Sequence, residues 1–248
     1  MAMVTKTAML VCFGAYFSGT TAAWTTVAAG VLAASALWFF LYALNEVWDL
    51  ALEQGRPISK IWSVGIGGAL AAIILLSVSI SPLLATLLLL TALSQAAYSL
   101  PPIRAKRYWW MVLLLSGVTN PVLRLHCGAV FGTHAIPVLA YLTAILLHVG
   151  GAVRTRLLRR ARDARLGYRT VPEFMRAVGM AAAGGGLLCV ALMCATDILP
   201  RAFYPLTVAA AIFTGYVWSG KVDDIHPLRK AWLLCAPLAL AVPLLLWR

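Results

Sequence analysis

Three of the chain's eight acidic residues fall within eight positions, in Asn45-Glu46-Val47-Trp48-Asp49-Leu50-Ala51-Leu52-Glu53. If a helix continues through this stretch, Asn45, Asp49 and Glu53 stand at i, i+4 and i+8 and share one face. Oxygen ligands stacked in this way suit Mg²⁺, which takes one or two carboxylates and completes its shell with substrate phosphates and water. The plainer alternative is acids simply wetted at a helix end, where carboxylates oppose the macrodipole. A tight basic turn follows at once, Gly55-Arg56-Pro57-Ile58-Ser59-Lys60. Its Arg56 and Lys60 are candidates for holding diphosphate oxygens, or for anchoring the chain at a membrane surface.

Further cations are grouped downstream. In Tyr98-Ser99-Leu100-Pro101-Pro102-Ile103-Arg104-Ala105-Lys106-Arg107 the double proline stops a helix and three cations follow. Tyr98 and Arg104 are candidates for lining a polar headspace, and Lys106 and Arg107 read as lipid contacts. Between 154 and 165 the chain carries Arg154, Arg156, Arg159, Arg160, Arg162, Asp163 and Arg165. On a continuous helix Arg156, Arg159, Arg160 and Asp163 would form one row, at i, i+3, i+4 and i+7. Unpaired guanidiniums so close repel one another unless an anion sits among them. The row is therefore either a phosphate clamp or a basic loop on acidic lipid. Asn120 and Arg124, one turn apart, lie inside an apolar run with His126 and Cys127. A charge there is a functional candidate by default, the alternative being an interhelical hydrogen bond. His134 and His148 read as packing or interface residues, and Asp223-Asp224 as a helix or turn cap.

The elements that must position these residues follow from composition. Of the 248 residues 62% are apolar and 11% charged, and the mean hydropathy is +0.89. A soluble domain is about 25% charged and has polar surface to cover its core. The chain is expected to be an all-α membrane protein with about nine transmembrane helices around a central cavity. The spans are placed at 6–20, 23–45, 61–79, 82–98, 109–131, 135–153, 174–196, 203–218 and 229–247, with prolines at their ends. The whole chain, 1–248, reads as a single transmembrane domain, with no cleaved leader. Functional loops after the second and sixth spans hint at a four-helix repeat. The net charge of +12 would suggest nucleic acid in a soluble protein; here it points to anionic lipid or phosphorylated substrates, and no nucleic acid is expected. With a cytoplasmic N-terminus, seventeen of the twenty basic residues fall on the cytoplasmic side. This is the positive-inside pattern of a multi-pass protein whose active-site loops face the cytoplasm. The five cysteines sit in apolar stretches without metal-ligand spacing and read as packing residues.

Taken in order and spacing, these stretches resemble the UbiA superfamily of intramembrane prenyltransferases. The family's first acidic motif, NDxxDxxxD, is matched by Asn45, Glu46, Asp49 and Glu53. The basic-proline turn after it is matched by Arg56-Pro57-Ile58-Ser59. The YSxPPxRxK loop is matched by Tyr98, Ser99, Pro101, Pro102, Arg104 and Lys106. The second acidic motif, DxxxD before GxxT[LV]P, keeps its tail at Gly167-Tyr168-Arg169-Thr170-Val171-Pro172 and its last acid at Asp163. Its upstream acids are replaced, with Arg159 and Arg156 at those places.

The resemblance implies Mg²⁺-dependent transfer of an isoprenyl group from an isoprenyl diphosphate donor to an aromatic or other small acceptor in the bilayer. Asn45, Asp49 and Glu53 would hold the metal, with Asp163 a remnant second-site ligand. Arg56, Lys60, Tyr98, Arg104, Asn120, Arg124, Arg156, Arg159 and Arg160 would bind substrate. Alternatives remain open: a membrane terpene cyclase, a phosphoribosyl-type transferase acting on a polyprenyl phosphate, and a non-catalytic lipid-phosphate-binding relative. All of these require the acids and the guanidiniums to serve one anionic headgroup.

Overall fold

Prolines and glycines set the helix ends. The computed structural model describes residues 2–55 and 60–219, and every named element among them is helical. They are α1 (Ala2–Phe17), α2 (Trp24–Gln54), α3 (Lys60–Val78) and α4 (Pro82–Ser99), then α5 (Trp109–Val112), a π-helical segment (Leu113–Thr119) and α6 (Asn120–Ala129), and finally α7 (Val138–Leu158), α8 (Arg160–Arg165), α9 (Met175–Ala195) and α10 (Tyr204–Trp218). Pro82 opens α4 behind the Ser81 cap, whose side chain accepts from the Leu84 N–H at 3.4 Å. Pro137 precedes α7. Both positions use proline where its missing N–H costs nothing.

Helices α2, α3, α4, α7 and α9 are long and apolar enough to cross a bilayer. The shorter apolar helices α1 and α10 and the composite α5–π–α6 stretch stand where three further spans are expected. The ninth expected span, 229–247, lies outside the described residues. On α3 the apolar side chains Ile61, Trp62, Val64, Leu75 and Leu76 are all well exposed. That is a poor arrangement in water and the ordinary one against lipid.

The described chain divides into two compact units, one from residues 2–105 and 123–135, the other from 106–122 and 136–219. In the first, α1 to α4 pack around Val11, Ala15, Leu37, Leu41, Leu84, Leu88, Cys127 and Phe131. Gly14 and Gly128 allow α1 and α6 to touch backbone to backbone. A Cβ on Gly14 would strike the Leu125 carbonyl, and one on Gly128 the Val11 carbonyl. In the second, Val153, Val171 and Met175 form a core with Trp109, Leu113, Val149 and Trp218. Gly150, Gly179 and Gly186 bring α7 and α9 close.

Two expectations are corrected. The second helix does not stop at residue 45 but runs to Gln54. Hydropathy marks where the bilayer ends, whereas Glu46, Leu50, Ala51, Leu52 and Glu53 are all good helix formers. The helix ends only at Gly55, which adopts the left-handed conformation (φ 62°) and donates its N–H to the carbonyls of Ala51 and Leu52. The second correction concerns the arginine row. It is not one helical face, because α7 ends at Leu158 and Arg159 (φ −96°, ψ 10°) separates it from α8.

Candidate functional site

In the first unit, the continuation of α2 puts Asn45, Asp49 and Glu53 on successive turns of one face. Asp49 is buried at 7% exposure. Asn45 is half-buried, and its Oδ1 accepts a 2.8 Å hydrogen bond from Ser99 Oγ at the end of α4. The two sequence motifs, 54 positions apart, therefore meet. Glu46, one position from Asn45 and one turn from Asp49, has a buried Oε1 with no hydrogen-bond partner among the described residues. Orphaned carboxylate oxygen at such a place is costly unless a cation meets it. The donor set of Asn45, Glu46 and Asp49 is all oxygen, the chemistry that Mg²⁺ selects. Among the described residues no group of three His, Cys, Asp or Glu side chains forms a metal site. An ion here would take part of its shell from phosphate and water. The side chains of Glu53 and Lys60, and the whole of Arg56, lie outside the described residues.

The loop after α4 places Arg104 in the left-handed region at φ 44°. Such a conformation costs a non-glycine residue about 1–2 kcal/mol. Its backbone N–H is tied to the Leu100 carbonyl at 2.8 Å, which fixes the turn that carries the guanidinium. Tyr98 and Arg104 are both half-buried. Arg124, at 2% exposure, stacks on the buried Trp38 ring with its guanidinium carbon 3.7 Å from the centroid. This buried cation is thus met by an aromatic face of α2. Asn120 is buried at the start of α6. The π-helical turn before it adds a residue to the helix, so its register departs from that of an uninterrupted α-helix.

In the second unit α8 follows α7 after the single interrupting residue Arg159. Arg156 Nη1 donates to Asp163 Oδ2 at 2.9 Å, and both side chains are buried. Arg160 points elsewhere: it pairs with Glu173 at 2.9 Å on the surface, and Arg176 shares that glutamate at 3.0 Å. The expectation of unpaired guanidiniums in this row is corrected for Arg156 and Arg160. Arg159 is half-buried at the junction. Arg154 is buried, donates from Nε to the Val217 carbonyl at 3.0 Å and lies over the Trp218 ring. Lys106, read as a lipid contact, is instead buried at 2% exposure. Beside it Arg107 O accepts from the Arg169 N–H, and Tyr168 N–H donates to Asp163 O, both at 2.8 Å. His148 matches the packing role expected of it, with Nδ1 at 2.7 Å from the Ala144 carbonyl.

Glu46, Ser99, Lys106 and Trp38 were not among the candidates the sequence singled out for binding or catalysis. The first three stood inside the matched motifs. Trp38 was signalled only indirectly, by the demand of an intramembrane arginine for a partner.

No family model and no curated protein matches this sequence. Solved structures do. UbiA homologs from Archaeoglobus fulgidus match over 97% of this chain. One bound to Cd²⁺ gives a TM-score of 0.72 at 17% identity, with 94% of that chain covered. One bound to DMAPP and Mg²⁺ gives 0.72 at 16% identity, and one bound to GPP and Mg²⁺ gives 0.73 at 16%; 95% of each of those chains is covered. This chain therefore has the fold of the UbiA homologs.

Proposed function

We propose that this protein is an intramembrane prenyltransferase, moving an isoprenyl group from its diphosphate to a small acceptor with the help of Mg²⁺. The carrying observation is the Ser99–Asn45 hydrogen bond beside buried Asp49. It joins the two motifs that such a reaction needs, on a fold whose relatives bind GPP and Mg²⁺. Asn45, Asp49 and Glu53 would hold the cation. Bound Mg²⁺ supplies neutralisation of the diphosphate charge, so that it departs more easily. Arg56, Lys60 and Arg104 are assigned to the phosphate oxygens, while in the second unit Arg156 is engaged by Asp163 and Arg160 by Glu173. Tyr98, Asn120 and Arg124 are assigned to substrate positioning. The C1–O bond breaks with its electron pair leaving on diphosphate. The allylic cation then bonds to a nucleophilic atom of the acceptor, which gives up a proton. Apolar helices keep water from intercepting the cation.

The test is incubation of purified protein with GPP, Mg²⁺ and a membrane lipid extract. Release of diphosphate and labelled prenyl product is expected, and both should vanish in Asp49→Ala and on chelation. A cyclic hydrocarbon formed from GPP alone would favour cyclisation instead. One observation supports a second reading, a non-catalytic diphosphate binder: Asp163 is engaged by Arg156. That reading wins if diphosphate is bound but never released from any prenyl donor.

A further inference from the structure

The exposed arginines of the second unit are of two kinds. Arg160 and Arg176 share Glu173 in surface pairs. Arg107 and Arg169 are exposed and make no ion pair among the described residues. Their backbones meet, the Arg169 N–H donating to the Arg107 carbonyl at 2.8 Å. The turn that carries Arg169 is fixed from its other side, where Gly167 takes φ 69° and the Tyr168 N–H donates to the Asp163 carbonyl at 2.8 Å. The Arg169 guanidinium carbon lies 5.3 Å from the centroid of the Tyr108 ring. That ring in turn stands 6.0 Å from the ring of Trp110. A cation over an aromatic face is oriented without being neutralised. One surface thus carries two arginines rooted on hydrogen-bonded residues, with an aromatic pair beside them.

What lies next to the arginines decides which anion they meet. Trp110 is 51% exposed and Leu114, one turn further on, 48%. This apolar strip begins three residues after Arg107 and suits an acyl chain, with tyrosine and tryptophan at the headgroup level. A soluble anion gains nothing from such a strip. We propose that Arg107 and Arg169, with Tyr108 and Trp110, form a docking surface for the phosphate of an anionic phospholipid in the leaflet at which α5 begins. The lipid phosphate accepts hydrogen bonds from the guanidiniums, whose paired N–H groups match its oxygens, and the acyl chain runs along Trp110 and Leu114. This surface does not depend on the prenyltransferase reading.

The full chain in detergent is titrated with dioctanoyl phosphatidylglycerol and, separately, with dioctanoyl phosphatidylcholine, and bound lipid is counted by native mass spectrometry. Phosphatidylglycerol should bind more tightly, by about fivefold or more. Arg107→Gln and Arg169→Gln should each weaken its binding about fivefold, the weight of one cation at a lipid surface, and leave phosphatidylcholine unmoved. Both substitutions keep the backbone hydrogen bond between the two residues. Arg165, exposed on the same loop, is the control of equal charge, and Arg165→Gln should leave the affinity nearly unchanged. Inorganic phosphate should not displace the lipid. Equal affinity for the two lipids overturns the proposal. So does a loss in Arg165→Gln as large as in Arg169→Gln, which would mark a diffuse basic surface, and so does displacement by phosphate, which would mark a site for the free anion. Should Arg169→Gln fail to fold, Arg107→Gln and the comparison of the two lipids decide alone.

Discussion

Ser99 Oγ donates a 2.8 Å hydrogen bond to Asn45 Oδ1, and this one contact ties the proline-stopped end of α4 to the polar end of α2. Ser99 is buried at 3% exposure, so the bond is not shared with bulk water. The bond fixes the orientation of the Asn45 amide at the acidic end of α2. Ser99→Ala should therefore cost little stability, about 1 kcal/mol, yet raise the Mg²⁺ concentration for half-maximal turnover several-fold. Ser99→Thr, which keeps the hydroxyl, should restore it. Equal Mg²⁺ dependence in all three proteins would mean that the bond serves packing only.

Glu46 makes a prediction with two opposed readouts. Its buried Oε1 lacks a hydrogen-bond partner among the described residues, a state that destabilises the metal-free fold. Glu46→Gln removes the charge while keeping the shape. The melting temperature in EDTA should rise, whereas Mn²⁺ affinity should fall by about tenfold, the weight of one charge-assisted contact. A mutation that merely damaged the site would lower both.

The segments of this fold were legible because apolar length and proline are direct physical constraints: Pro82 and Pro137 open α4 and α7 within the expected boundaries. The end of α2 is legible only in part: hydropathy places the span at 23–45, and the shared face of Asn45, Asp49 and Glu53 holds on the condition, met here, that the helix continues past it. The break at Arg159 has no proline or glycine to announce it. It is decided by tertiary structure, where burying Asp163 against Arg156 outweighs one more helical turn. The π-helical turn at Leu113–Thr119 is likewise set by packing, with Gly117 seated on Val149. Spacing singles out the acids of the first unit as candidates, but nothing in the sequence shows that Lys106 is buried. A lysine at a membrane edge and a lysine folded under a loop look the same in sequence.

Arg154 separates structural from functional arginines. It is buried, bonded to the Val217 carbonyl and laid over Trp218, so its task is to hold the end of α10. Arg154→Leu should leave that carbonyl unsatisfied at a cost of about 1–3 kcal/mol, seen as a lower melting temperature in detergent. GPP affinity in the presence of Mg²⁺ should stay unchanged. A loss of that affinity would move Arg154 into the substrate site.

The crossing of α1 and α6 offers a test of how tightly Arg124 is placed. A Cβ at Gly128 would run into the Val11 carbonyl and the Ala15 N–H, backbone atoms that have no rotamer to change. Gly128→Ala must therefore push the helices apart, at about 1–3 kcal/mol by the measure of other overpacked sites. The displacement falls one turn from Arg124, whose guanidinium sits 3.7 Å from the Trp38 ring. Gly65 on α3 is the matched control, since a Cβ there meets nothing within 4 Å. Gly65→Ala should be neutral or stabilising by up to about 1 kcal/mol through helix propensity. Thermal melts in one detergent compare the two. If Gly128→Ala melts no lower than Gly65→Ala, the close backbone approach of α1 and α6 is wrong, and the position of Arg124 against Trp38 falls with it.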